Sequence, residues 1–242
     1  MMFSKEQEQE ITDYLMLHKL PLDILLEVKD HMISQVADIK TEENLNFQNA
    51  FHKTRKLWES EFKRTTYSAF FSEEIPVIVK KIVKERYFSI FKKSLLLGLV
   101  SAAVNFASVF LMKDAETYSL FFQIQNGLFI LFPVAIWALH YKMLKYIKSD
   151  YKYKGKLYYT MYQQNAAVTI SMIGIMGQIV SKEGNYPYLY FREHNHDEIV
   201  YVLITLILPF VVQVMIIFVL INFFEHKKSL EKMKEFLNLS AE

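Results

Sequence analysis

The sequence predicts an all-α protein in two parts: an N-terminal helical domain over residues 1–85 and a four-helix transmembrane bundle over residues 86–226, followed by a C-terminal tail at 227–242. Three observations predict this. Four stretches, 94–112, 118–141, 158–180 and 199–224, contain no Asp, Glu, Lys or Arg. Basic residues crowd into alternate connections between those stretches. The first 85 residues repeat apolar side chains at three- and four-residue spacing, interrupted by capping residues, and give no strand signal.

A helix rises about 1.5 Å per residue, so roughly 20 residues cross a hydrocarbon core of about 30 Å. Each charge-free stretch is near or above that length. A buried helix of a soluble protein has no reason to exclude charge around its whole circumference. A membrane helix does, because each charge at its centre costs about 2.5–3.5 kcal/mol. Before the first stretch lie Lys80, Lys81, Lys84, Arg86, Lys92 and Lys93, and between the first and second only Lys113, beside Asp114 and Glu116. The connection "KYIKSDYKYKGKLYYT", residues 145–160, is rich in Lys and Tyr and holds one acid, Asp150. The third and fourth stretches are separated by Lys182 and Arg192, and Lys227, Lys228, Lys232 and Lys234 follow the last. Short connections rich in Lys and Arg stay cytoplasmic, so both termini are expected in the cytoplasm of a bacterium, with the chain multi-pass in its inner membrane. The lysines suit an anionic inner leaflet, which makes membrane lipids the first expected partner. The terminus "MMFSKEQEQE" lacks the basic and apolar regions of a cleaved signal, so the first membrane segment is expected to direct its own insertion.

Within the N-terminal domain, Ser4 and Gln7 form a capping box for a helix over Ser4–His18. Pro21 suits the first turn of the next helix, whose apolar stripe is Leu25, Val28, Met32, Val36 and Ile39. After "KTEENLN", Asn46 caps a third helix, with Phe47, Ala50, Phe51, Thr54, Leu57, Trp58 and Phe62 on one side. Ser72 is expected to cap a fourth, with Pro76 in its first turn. That helix should continue unbroken through "VIVKKIVKERYFSIFKK" into the first apolar stretch.

The run "LPLDILLEVKDHMISQVADIKTEENLNFQNAFHKT" carries Leu25, Leu26 and Glu27, the pair Asp30-His31, Ile33 and Val36, then Phe47, Ala50 and Phe51. In this order it resembles the HTH-associated α-helical signalling (HAAS) domain, as found on uncharacterised flavobacterial membrane proteins. The resemblance covers about the first 65 residues. The glycine often found between the two helices of that family is absent here, and Asn44 and Asn46 occupy the region. The resemblance implies a signalling role and a protein partner, commonly a PadR-like transcription regulator. The partner-binding residues it suggests are Glu27, Asp30, His31, Phe47 and Trp58. Read from the residues alone, Asp30 is a solvated acid, and His31, at the edge of the stripe, is a packing histidine or a group that titrates near neutrality.

Amides inside the apolar stretches are the second group of candidates: Asn105, then Gln123, Gln125 and Asn126, then Gln163, Gln164 and Asn165, then Gln178, and Gln213. Such amides bond across helices at about 0.6–2 kcal/mol each, or line a polar cavity. Orientation places Gln123 and Asn126 near the outer face, and Gln164 and Asn165 near the inner one. Apart from His140, no titratable group fit for ion coupling lies in these stretches. Small residues at Gly98 and Ala102, at Ala167 and Ser171, and at Gly174 and Gly177 predict close helix approach. Pro133 and Pro209 predict kinks.

The stretch "NYPYLYF" is expected on the membrane surface, and "REHNHDEI" after it offers His194 and His196 as weak metal-ligand candidates. An enzymatic reading would need a metal there. There is no cysteine, no P-loop, GxSxG, HExxH or dinucleotide fingerprint, and only six glycines, so neither catalysis nor a cofactor is expected. The net charge of +2 gives no reason to expect nucleic acid. The function expected is a non-catalytic signalling protein or a subunit of a larger membrane complex, acting through its helical domain, with homo-oligomerisation left open. The alternative is a small transporter or channel subunit with a polar intramembrane site.

Overall fold

The computed structural model describes residues 3–68, 71–142, 166–195 and 198–236. The chain divides into two compact units. Among the described residues, 3–87 and 226–236 belong to the first and 88–142, 166–195 and 198–225 to the second.

The first unit opens with α1 (Lys5–Met16), α2 (Leu22–Glu42) and α3 (Phe47–Trp58). The Ser4 hydroxyl accepts from the Gln7 amide, and the Gln7 side chain accepts from the Ser4 amide, so the capping box forms as expected. Pro21 sits one position earlier than its sequence suggests. It is the N-cap of α2 rather than a first-turn residue, and its carbonyl accepts from Leu25. The stripe Leu25, Val28, Met32, Val36 and Ile39 is buried, together with Ile11 and Leu15 of α1 and Ala50 and Phe51 of α3. Asn46 caps α3 through its side-chain oxygen. Asn44, in the α2–α3 connection, has φ of 51°, the left-handed conformation that glycine takes most readily and asparagine tolerates. Leu57 departs from its expected place: it is 54% exposed, one position off the buried face of α3.

An antiparallel hairpin then follows, β1 (Arg64–Ser68) with β2 (Phe71–Pro76), pairing Thr65 with Ile75 and Thr66 with Glu74. This corrects two expectations, that the domain lacks strands and that Ser72 caps a helix. Thr65, Thr66, Phe71 and Ile75 are residue types that favour extended backbone. Pro76, read as a first-turn residue, instead ends β2 at its edge, and α4 (Val77–Leu111) begins one residue later. The amides of Val77 and Ile78 donate to the carbonyls of Lys63 and Glu61, and Lys80 Nζ donates to the Thr66 carbonyl at 2.7 Å.

Helix α4 is unbroken for 35 residues, about 50 Å, from the first unit into the first apolar stretch. The second unit continues with α5 (Ala115–Leu139), α6 (Ala166–Val180), the short α7 (Tyr186–Arg192) and α8 (Ile199–Phe236). Three of these helices, α4, α5 and α8, are long and apolar enough to cross a membrane. They present large apolar side chains outward, among them Leu97, Leu131 and Ile207. The described part of the third apolar stretch, α6, has 15 residues, and residues 158–165 lie outside the described set, as does the Lys/Tyr-rich connection. Helices α5 and α8 run through Pro133 and Pro209.

Gly98 fulfils the expected close approach, since a Cβ there would collide with Val214 of α8. Gly174 and Gly177 do not: a Cβ at either meets no atom within 4 Å among the described residues. Small spacing permits approach, but a neighbour must be present to use it. The glycine that matters near α6 is Gly184, with φ of 67° and the Phe122 ring against the place a Cβ would take.

Candidate functional site

In the first unit, the residues singled out for partner contact fall into different environments. Glu27 pairs with Arg86 of α4. Phe47 is buried and stacks with Phe51. Trp58 donates from Nε1 to the Gln35 amide oxygen at 2.6 Å. Asp30 and His31 are exposed side by side on α2. His18, just beyond α1, was not singled out by sequence. Its ring stacks on Phe62 at 4.1 Å between centroids, with Tyr14 edge-on at 4.9 Å. Burial, and secondarily the Arg55 guanidinium, hold its imidazole below the ordinary histidine range.

In the second unit, the amides form two separate networks, each anchored on a main-chain carbonyl. In the first, Gln125 of α5 donates from Nε2 to the Ser101 carbonyl of α4 at 2.8 Å, and to its hydroxyl at 3.0 Å. A carbonyl can only accept, so the Gln125 amide oxygen must face the other way. There it accepts from Asn105 Nδ2 at 3.0 Å, and Asn105 Oδ1 in turn accepts from the Tyr118 hydroxyl at 3.3 Å. In the second, Asn126 Nδ2 donates to the Phe122 carbonyl at 2.8 Å, and Asn126 Oδ1 accepts from Gln213 Nε2 of α8 at 2.9 Å. These carbonyls fix every amide orientation, which atom positions alone would leave ambiguous. The sequence of donors ends at Gln213 Oε1, which is buried and accepts no hydrogen bond among the described residues.

Gln213 and Asn105 also line a cavity of about 200 Å³, walled by Ala102 and Phe106 of α4 and by Leu206 and Phe210 of α8. The Gln123 side chain makes no hydrogen bond among the described residues, and Gln178 is exposed. Gln163, Gln164 and Asn165 lie outside the described residues. Ser101 and Tyr118, missed by sequence reading, complete the first network. Their signal was only their place within helical reach of Asn105 and Gln125.

The segment before α8 is largely structural. Tyr188 is buried and donates its hydroxyl to the Lys113 carbonyl at 2.9 Å. Arg192 Nη1 reaches the Phe110 carbonyl at 2.7 Å, satisfying an acceptor in the last turn of α4. Phe191 packs edge-on to Phe106. Asp114 caps α5, and hydrogen bonds from the Thr117 amide and hydroxyl lower its carboxyl below the usual range. His194 is exposed with φ of 57°, and His196 lies outside the described residues. Among the described residues, no group of three or more His, Asp or Glu side chains is arranged to hold a metal ion.

Fold and site together define a mostly helical protein in which, among the described residues, three helices are long and apolar enough to cross a membrane. No family model, curated protein or solved structure matches the chain.

Proposed function

We propose that this chain is a non-catalytic, multi-pass protein of a bacterial inner membrane that signals, or assembles with a protein partner, through its N-terminal helical unit. The observation that carries this reading is α4, which belongs to the helical unit at Val77 and runs without interruption into the first apolar stretch. A helix resists bending far better than a loop, so binding at one end has a stiff element on which to act. The HAAS-like order of residues in α2 and α3 supports a partner-type domain and leaves a transcription regulator or a larger membrane complex as the partner. With Glu27 engaged by Arg86 and Phe47 buried, the contact is centred on Asp30 and His31. In this reading the stretch 158–180 forms a fourth crossing, and the Lys-rich connections and both termini face the cytoplasm. The mutual pairing of Asn105 with Gln125, and of Asn126 with Gln213, supports bracing between helices rather than a transport path.

The absence of native cysteine makes the topology directly testable. In intact cells, a membrane-impermeant maleimide should label Glu183→Cys and leave Lys148→Cys unlabelled; the reverse pattern would refute the orientation. For the partner, a photo-crosslinking residue at Asp30 or His31 of the full chain, in native membranes, should give a discrete protein adduct that is absent when the residue is at Lys5. No adduct, or the same adduct from all three positions, would overturn the signalling reading.

A further inference from the structure

Among the described residues, the three membrane-length helices follow one rule for their polar side chains. In the apolar stretches of α4, α5 and α8, every Ser, Thr, Asn and Gln is buried or half-buried, from Ser94 and Asn105 to Gln213 and Asn222. Their outward faces are left to large apolar groups such as Leu97, Leu131 and Ile207. Helix α6 breaks the rule. Its inner face, with Met172, Met176 and Ile179, packs with Phe122 of α5. On the opposite side Ser171, Gly174 and Gln178 are exposed, at the i, i+3, i+7 spacing of one helix face. The Gln178 side chain makes no hydrogen bond among the described residues. Side chains on a helix lean toward its N-terminal end, so this amide covers the surface over Gly174, away from Lys182 and toward the middle of the apolar stretch. Gly174 leaves room there, since a Cβ on it would meet no atom within 4 Å among the described residues. In hydrocarbon an amide without a partner is costly, whereas one that bonds across a helix pair holds the pair together.

We infer that this face of α6 seats a second copy of the chain, packed α6 against α6 about a two-fold axis, with the two Gln178 amides bonded to each other. The inference rests on the reading of 158–180 as a membrane crossing. Three features favour a second copy over any other occupant. Copies inserted with the same topology bring Gln178 to the same depth in the bilayer without further design. An amide carries both donor and acceptor, so it complements its own image. Helix α6 holds no charged residue, so the face does not repel itself. The missing side chain at Gly174 lets the two backbones come close enough for the amides to meet.

The test uses the full-length protein, which has no native cysteine. In native membranes, copper-phenanthroline oxidation should link Ser171→Cys and Gly174→Cys into dimers and leave Leu131→Cys of α5 and Ile207→Cys of α8 monomeric. Single-molecule photobleaching across a dilution series in liposomes should show dimers of the parent sequence. Gln178→Leu should weaken them by roughly threefold to thirtyfold. Gly174→Leu should abolish them without removing the chain from the membrane, because no described residue of its own chain stands in the way. Equal crosslinking from all four positions, a parent chain that stays monomeric throughout the series, or a dimer that survives Gly174→Leu would each overturn the inference. So would a photo-crosslinking residue at Gly174 that captures only a different protein. The maleimide pattern at Glu183→Cys and Lys148→Cys keeps the two readings apart. If those residues lie on opposite sides of the membrane, monomers refute only the pairing; if they lie on one side, the crossing falls and the pairing with it. Because the dilution series uses the parent sequence, it decides even if a variant fails to fold.

Discussion

The two units sort their side chains in opposite ways. In the first, apolar groups such as Leu25, Met32 and Phe51 are inside, and charged groups such as Asp30 are outside. In the second, apolar groups such as Leu97, Leu131 and Ile207 lie outside, while Asn105, Asn126 and Gln213 lie inside. Each arrangement is sensible only in its own solvent. Water rewards the burial of apolar area at about 25 cal/mol per Å². A hydrocarbon surround gives no such reward, so helices there are held by close packing, as at Gly98 against Val214, and by amides that have no alternative partner in lipid.

The sharpest way to break that comparison is to make one change in both units. Leu57 and Leu131 are similarly exposed, at 54% and 63%. Leu131→Lys should cost about 2.5–3.5 kcal/mol of membrane insertion, read as a loss of alkali-resistant protein from the membrane fraction. Leu57→Lys should stay within about 0.5 kcal/mol of the parent. Equal tolerance of the two would mean that α5 does not face lipid. A smaller effect is expected from Asn126→Leu, about 2 kcal/mol, because it leaves Gln213 with neither end paired. The double variant Asn126→Leu with Gln213→Leu should recover most of that loss in a thermal melt, since two apolar groups leave nothing unsatisfied.

The smallest effect belongs to the first unit and to pH. His18 is held below its ordinary value, first by burial and then by Arg55, so the unfolded chain takes up a proton more readily than the folded one. The unit should keep its full stability above about pH 6.5 and lose some as pH falls through that value toward the folded one. His18→Phe, which preserves a ring against Phe62, should flatten this dependence in melts between pH 7.5 and pH 5. An unchanged slope would place the pH sensitivity elsewhere.

Local chemistry was readable from the chain; encounters between distant residues were not. The Ser4 and Asn46 caps and the stripe from Leu25 to Ile39 depend on neighbours within one or two turns, and each was recognised. The hairpin was missed because a strand five or six residues long is decided by its partner, and Pro76 fits a helix start as well as a strand end. Asn126 and Gln213 were each visible as amides in apolar surroundings, but their bond spans 87 residues and no periodicity announces it. The same limit explains Gly174 and Gly177, where spacing suggested an approach that no described neighbour makes.

Two helices, α4 and α8, each carry residues of both units without a break. A proteolytic nick in α8 alone leaves residues 3–87 covalently joined to the second unit through α4, whereas a nick in α4 cuts that link, so released N-terminal material in limited digestion should always carry an end within α4 or before it.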